Sequence, residues 1–306
     1  MERLRIGLIG WGTVGAAFGQ LVIDGPLPVT LVGVAVRDPD RARERGLPAK
    51  VPTIGVEEAL AADILVELAG GLEGPHEWAR AALDKGTPYV TANKALLATH
   101  GGELAELAER RVAALLGSAS VGGGTPMIET VTHLAAAGEI VRLRGLLNAT
   151  TTFILSAMGR GQDYEEALRD AQEAGYAEAD PSFDVEGRDA AQKLAILASV
   201  AWGQWRPESD VRTSGILDIA VTPGQAVRLV ADADRESLRV APSTLDALDP
   251  LSGLDGVESM LEIVSSDGTT VRVSGPGAGG RVTAGAVYAD VGRLVAGERP
   301  ILFSRR

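Results

Sequence analysis

Apolar and polar positions along the chain alternate in blocks that predict strands and helices in turn. Leu4 to Ile9 is a short apolar run closed by Gly10, and AAFGQLVI a few residues on has helical character. Val29–Val36 (VTLVGVAV), Asp63–Leu68 (DILVEL) and Pro88–Thr91 (PYVT) are further apolar runs of strand length, with helices predicted over 77–83 and 103–111. Strands alternating with helices predict a parallel sheet with ligands at the carboxyl ends of its strands. VAALLGSASVGGGTPM then gives one more strand and a structured loop holding glycines 122, 123 and 124. Residues 128–137 read as a helix leaving this first domain.

The pattern then changes. IVRLRGLLNAT is strand-like, and 150–158 and 164–173 read as helices. After an acidic stretch come strand candidates at 226–231, 238–240, 259–264 and 270–273, joined by polar turns. Gly275-Pro276-Gly277-Ala278-Gly279-Gly280 precedes a helical TAGAVYADVGRLVAG that predicts a return to the first domain. The expected fold class is α/β. A Rossmann-type dinucleotide-binding domain spans 1–128 plus 275–306, and an α+β substrate-binding and dimerisation domain over 129–274 is inserted in it.

Candidate chemistry sits at the junctions of these blocks. Gly10-Trp11-Gly12-Thr13-Val14-Gly15 is a G-x-G-x-x-G sequence between a strand and a helix. Such a loop turns tightly and lets the backbone approach a pyrophosphate at a helix N-terminus. The second strand ends Arg37-Asp38, with Arg41 and Arg43 beyond. Arginine there suits the 2′-phosphate of NADP and Asp38 the ribose hydroxyls of NAD, so both cofactors stay open. Lys94 follows another strand end and can serve phosphate or proton transfer. From Gly175 to Leu194, GYAEADPSFDVEGRDAAQKL holds five carboxylates in twenty residues. Its first half reads as a loop and its second as a helix start with Asp184 as N-cap. Asp189 and Lys193, four apart, share a face of that helix.

Composition narrows the function class. With 45% hydrophobic and 23% charged residues, the 306-residue chain can bury two cores. A net charge of −12 argues against nucleic acid or an anionic membrane as partner. No cysteine is present, which removes disulfides, thiolate metal sites and thiol nucleophiles. His76, His100 and His133 lack metal-ligand spacing and read as structural or surface residues. The N-terminal apolar run is too short for a signal peptide, and no stretch reaches bilayer length, so the expected location is cytoplasmic.

Taken together, the motifs resemble homoserine dehydrogenase. The carriers are GLIGWGTVG, VELAGG at 66–71, VTANKALLATHG at 90–101, ASVGGGTP at 119–126, GYAEADPSFDVEGRDAAQKL and GPGAGGRVTAGAV at 275–287, in order along nearly the whole chain. The resemblance implies the short form of the enzyme, without a regulatory extension. It also implies reversible hydride transfer between NAD or NADP and L-aspartate 4-semialdehyde, giving L-homoserine, as in threonine and methionine biosynthesis. A carbonyl that accepts hydride develops alkoxide charge and needs a cation or proton donor beside it. The resemblance supplies Lys94 and Lys193 for that role, with Asp189 orienting Lys193. Glu178 is implied to hold the substrate ammonium, with Asp184 nearby and Thr151 and Gly175 among the substrate contacts. Around the glycine loop, the implied cofactor contacts are Gly10, Gly12, Thr13, Val14, Gly15 and Arg37. Gly70, Thr91, Asn93, Lys94 and Gly277 complete them. A homodimer built on the second domain's sheet is implied as well.

Two departures stand out. Asn148-Ala149-Thr150-Thr151-Thr152-Phe153 replaces the family's N-G-T-T-N-Y beside the substrate. Ser118 replaces a glutamate that helps bind a monovalent cation, leaving the backbone carbonyls of Val121 and Gly123 to contribute to a Na+ or K+ site. The altered 148–153 loop keeps open a related dehydrogenase of another small amino-acid aldehyde or hydroxy acid. A non-catalytic dinucleotide-binding sensor is a further alternative. Retention of Lys94, Asp189 and Lys193 together speaks against it.

Overall fold

The computed structural model describes residues 3–277 and 279–304, so Ala278 of the glycine-rich GPGAGG motif lies outside the described residues. The chain divides into two compact units, Met1–Gly124 with Gly279–Arg306, and Thr125–Ala278.

The first unit begins with β1 (Leu4–Ile9), α1 (Thr13–Asp24), β2 (Val29–Ala35), α2 (Pro39–Glu44), β3 (Thr53–Ile54) and α3 (Val56–Ala59). It continues with β4 (Ile64–Glu67), α4 (Glu73–Asp84), β5 (Tyr89–Thr91), α5 (Lys94–Arg111) and β6 (Leu115–Leu116). All strand pairs are parallel, in the order β3-β2-β1-β4-β5-β6. This is the doubly wound order, with the sheet reversing direction beside β1. Ile6, Leu8, Ile64, Leu65, Val66 and Val90 are all but fully buried, which is why these strands read as unbroken apolar runs.

The helix expected from residue 103 starts at Lys94 instead. The Asn93 carboxamide caps it by accepting the Leu96 N–H, and Leu96, Leu97, Gly101, Leu104, Ala105 and Ala108 form its buried face. That face outweighs the cost of Gly101 and Gly102 within the helix.

The second unit holds α6 (Met127–Ala137), β7 (Ile140–Leu146), α7 (Ala149–Gly159), α8 (Tyr164–Glu173), α9 (Ser182–Val185) and α10 (Arg188–Trp202). Then come β8 (Val211–Thr213), β9 (Ala226–Ala233), β10 (Leu238–Leu245), β11 (Glu258–Ser265) and β12 (Thr270–Pro276). The sheet runs β12-β11-β7-β9-β10-β8, antiparallel except for the β10–β8 pair. One face carries Leu143, Ala231, Ala233, Leu261 and Ile263, at most 1% exposed beneath α6, α7 and α10. Alternate positions face the other way. There Leu146 and Val230 pack with Leu251 and Leu254, and Arg144 pairs with Asp249 and Glu262.

The last element, α11 (Gly280–Val295), packs on α1 in the first unit. Ala284, Val287, Val291 and Leu294 of α11 join the core around Phe18 and Val22. The Tyr288 hydroxyl accepts the Leu27 N–H at 3.1 Å.

Candidate functional site

In the first unit, three glycines between β1 and α1 take three roles. Gly10 adopts φ +101°, where a side chain would also press on Leu68 and Ala69. Gly12 is the N-cap of α1, and a Cβ there would meet open space. At Gly15 a Cβ would stand 2.3 Å from the Gly10 carbonyl oxygen, so only glycine lets helix and strand approach this closely. Thr13 and Val14 open α1 behind this turn. A cleft of about 810 Å³ faces the loop, lined by Trp11, Arg37, Asp38, Arg41, Arg45, Gly70, Gly71 and Trp78 among others.

The arginines sort differently from the sequence expectation. Arg37 and Arg41 line the cleft, but Arg43 donates to the carbonyls of Leu47, Pro48 and Val51 and braces the turn after α2. Arg45 takes its place on the cleft wall. Asp38 is spent on α2, where its carboxylate accepts the Arg41 N–H as N-cap.

Glu67, absent from the sequence candidates, organises the strand ends of this cleft. It is fully buried at the end of β4. Its Oε1 accepts the N–H groups of Ala69 and Gly70 at 2.7 and 2.8 Å, and its Oε2 accepts the Thr91 hydroxyl at 2.8 Å. Thr91 in turn accepts the Asn93 N–H, and the Asn93 amide donates to the Gly71 carbonyl at 2.7 Å. Burial and the neighbouring Glu67 carboxylate push the Tyr89 phenol well above its ordinary range. Two loops at adjacent strand ends are thus tied together, with Gly70 (φ +71°), Gly71 (φ +85°) and half-buried Lys94 on them. Thr91 has no exposed surface of its own, so it supports the loops from beneath. A strand-end glutamate before two glycines was the signal to follow.

Of the positions singled out for a cation, Val121 is fully buried and Gly123 adopts φ +59°. Ser118 does not leave a vacancy where the family carries glutamate. Its hydroxyl and N–H donate to Asp290 of α11 at 2.7 and 3.1 Å.

The histidines are less dispersed than the sequence suggests. His76 and His100 stack 3.8 Å apart, and His76 Nε2 lies 2.9 Å from Glu103, which also pairs with Arg80. Burial, then the neighbouring His76, holds His100 below its ordinary pKa.

In the second unit the acidic stretch and α7 build a compact polar cluster. Asn148, the N-cap of α7, donates its amide hydrogens to Asp184 at 2.7 Å and Asp189 at 2.8 Å. Its carbonyl oxygen accepts the N–H and hydroxyl of Thr151. Thr150 donates to Asp184 and to the Tyr176 carbonyl. Lys193 donates to Asp189 and to the Leu147 carbonyl, each at 2.7 Å, with 14% of its side chain exposed. Burial raises the Asp184 carboxyl above its ordinary pKa, although Asn148 pulls the other way.

Asp184 does not cap α10. It lies inside the short α9, and Gly187, at φ +83°, breaks the chain before α10 begins. The Asp184 carboxylate is taken by Asn148 and Thr150, so it is a wall of the cluster. Thr151 is 1% exposed and braces Asn148 from within. Glu178 and Gly175 (φ +76°) lie on the exposed loop between α8 and α9, and Gly277 sits at the end of β12 against Ser259.

A glycine turn at a doubly wound sheet, with a half-buried lysine among carboxylates in the second unit, suits a dinucleotide-dependent oxidoreductase of small polar substrates. Residues 126–291 match the family model described as homoserine dehydrogenase, and residues 10–116 match its NAD binding domain. The homoserine dehydrogenase of Synechocystis sp. is 38% identical over 318 residues, covering 95% of this chain and 73% of that protein. That of Corynebacterium glutamicum is 37% identical, with 95% and 71% covered. Among solved structures, a homoserine dehydrogenase from Thiobacillus denitrificans superposes with a TM-score of 0.91 at 32% identity, covering 100% of this chain and 78% of that one. A hyperthermophilic archaeal homoserine dehydrogenase in complex with NADPH gives 0.86 at 28%, with 98% and 99% covered. The chain belongs to the homoserine dehydrogenase family. It is an NAD(P)-dependent oxidoreductase interconverting L-aspartate 4-semialdehyde and L-homoserine.

Proposed function

We propose that Lys193 is the proton donor of this reaction and that the Asn148–Asp184–Asp189 cluster holds it in place. The observation that carries the reading is the geometry of the ammonium. Two of its three N–H donors are taken by Asp189 and Leu147, which leaves one for the substrate oxygen. The reduced nicotinamide supplies the hydride when bound. As charge grows on the substrate oxygen, Lys193 gives it a proton and becomes neutral, and Asp189 holds the ammonium in place before the transfer. Glu178, on the same exposed loop as Gly175, receives the substrate ammonium, while Thr151 holds Asn148 from within. Lys94, in the first turn of α5, is the rival donor.

The first unit is the cofactor domain in this reading, with Gly10, Gly12, Thr13, Val14 and Gly15 on the pyrophosphate. Arg37, Arg41 and Arg45 favour the 2′-phosphate of NADP over NAD, since Asp38 is committed as a helix cap. The second unit binds substrate and forms a homodimer through its sheet, a reading supported by the run of apolar strands between 226 and 273. The enzyme works in the cytoplasm, where nicotinamide dinucleotides are kept. No helix among the described residues is long and apolar enough to cross a membrane.

Single-turnover oxidation of NADPH and of NADH by the chain with aspartate semialdehyde tests the reading. Stoichiometric homoserine, formed faster with NADPH, is the expected result. Faster turnover with NADH would remove the arginine argument. A monomer in light scattering at micromolar concentration would remove the dimer.

A further inference from the structure

The cleft of about 810 Å³ in the first unit is lined by residues within or just after β1, β2, β3 and β4. Those strands stand in the order β3-β2-β1-β4, so residues following β2 and residues following β4 flank the glycine turn on its two sides. On the β2 side stand Arg37, Arg41 and Arg45. On the β4 side, α4 supplies Gly74, Pro75 and Trp78.

Two indoles reach this cleft, and they differ in how they are held. Trp11 is 5% exposed and belongs to the core around Phe18, where a Cβ at Gly19 would stand 2.3 Å from its ring. Trp78 is half-buried. Its helix buries Pro75, Ala79, Ala82 and Leu83. One flank of that face turns to α5, with His76 stacked on His100 and Arg80 paired with Glu103. At 3.6 residues per turn, Trp78 falls on the opposite flank, beside the cleft. Its ring reaches back one turn over Gly74, where a Cβ would stand 2.8 Å from the indole. Glycine weakens a helical turn, and at this position it makes room for the ring.

We propose that Trp78 is the surface on which the adenine of the cofactor stacks. The inference rests on the reading of the first unit as the cofactor domain, and it assigns the base within that domain. Strands β1, β2 and β3 belong to one mononucleotide-binding half of a doubly wound sheet. The arginines after β2 suit the 2′-phosphate, and the base is carried on the neighbouring carbon of the same ribose. The adenine therefore lies at this end of the cofactor, where Trp78 offers a broad apolar ring face. Stacking on an aromatic ring needs no hydrogen-bond partner on the base. It acts in the ground and transition states alike, so Trp78 sets cofactor affinity and not the hydride step.

Titration calorimetry of the full chain with NADPH and with adenosine 2′,5′-bisphosphate tests this. Trp78→Ala is expected to weaken both ligands by the same factor, roughly 10-fold, the size of one base–aromatic stack. The loss in kcat/KM for NADPH is carried by KM, and Trp78→Phe restores most of the affinity. Gly74→Ala is the second probe, since it keeps the indole, displaces it and improves the helix. It should weaken adenosine 2′,5′-bisphosphate without lowering the melting temperature. Adenosine 2′,5′-bisphosphate affinity within about twofold of wild type in Trp78→Ala overturns the inference, and so does a loss that Trp78→Phe leaves unrepaired. Either result leaves the cofactor domain in place. Failure of the unaltered chain to bind NADPH overturns both readings.

Discussion

Replacing Lys193 with methionine keeps the length of the side chain and removes its charge and donors. The loss has two parts that the structure separates. The first is chemical. Without a donor at the nascent alkoxide, kcat falls by about 10²–10⁴-fold, the usual contribution of a positioned general acid. The second is structural. Asp189, with 7% of its side chain exposed, loses its cation and keeps the Asn148 amide, so the variant is less stable by about 3 kcal/mol. NADPH affinity should change by less than about twofold, since no residue lining the cofactor cleft lies between 125 and 278. Steady-state kinetics, a fluorescence titration of NADPH and a thermal melt measure the three quantities. Asp189→Asn should also lower kcat, and the double variant should be little worse than the worse single, because the pair acts as one unit. The reasoning is refuted if Lys193→Met keeps kcat within about tenfold of wild type. If Lys94→Met then abolishes turnover, the donor is Lys94.

Glu67→Gln should weaken NADPH binding and lower the melting temperature, because an amide has a single acceptor oxygen and puts an NH2 where the second carboxylate oxygen accepts; Glu67→Asp should not restore either, and unchanged affinity would limit Glu67 to folding. Gly15→Val should abolish NADPH binding in the same titration, since its Cβ would stand 2.3 Å from the Gly10 oxygen. The Arg144 guanidinium holds the Asp249 carboxyl below its ordinary value of 3.8, so this pair adds stability above that pH and loses it as pH falls through the lowered pKa. Asp249→Asn should therefore cost about 2 kcal/mol at pH 7, and the gap between variant and wild-type melts should close in acid.

The parallel sheet is legible in sequence because strands buried on both faces are continuous apolar runs. Strand β3 is two residues long and carries no such pattern, whereas β6, equally short, lies in the apolar VAALL run that reads as a strand. Helix α2 is six polar or small residues whose only local signals are the Asp38 cap and Pro39. In the lysine cluster, the Asp189–Lys193 contact follows from helical spacing alone. Asn148 joins it from across the unit, and no local pattern reports that. For the same reason Asp184 misleads: it has the right type and place for a cap, but tertiary partners claim its carboxylate. The His76–His100 stack likewise depends on how α4 packs against α5, which sequence does not show.

The placement of α11 bears on how the chain is made. Val287, Val291 and Leu294 complete a core whose other side, around Phe18 and Val22, leaves the ribosome more than 250 residues earlier. Each buried side chain adds about 1.5–3 kcal/mol only once both sides are present. Throughout translation of residues 125–278 the nascent cofactor unit therefore waits with an uncovered apolar groove along α1. The inserted unit, continuous in sequence, can fold in that interval. Synthesis order and chain order thus differ: the unit begun first is finished last.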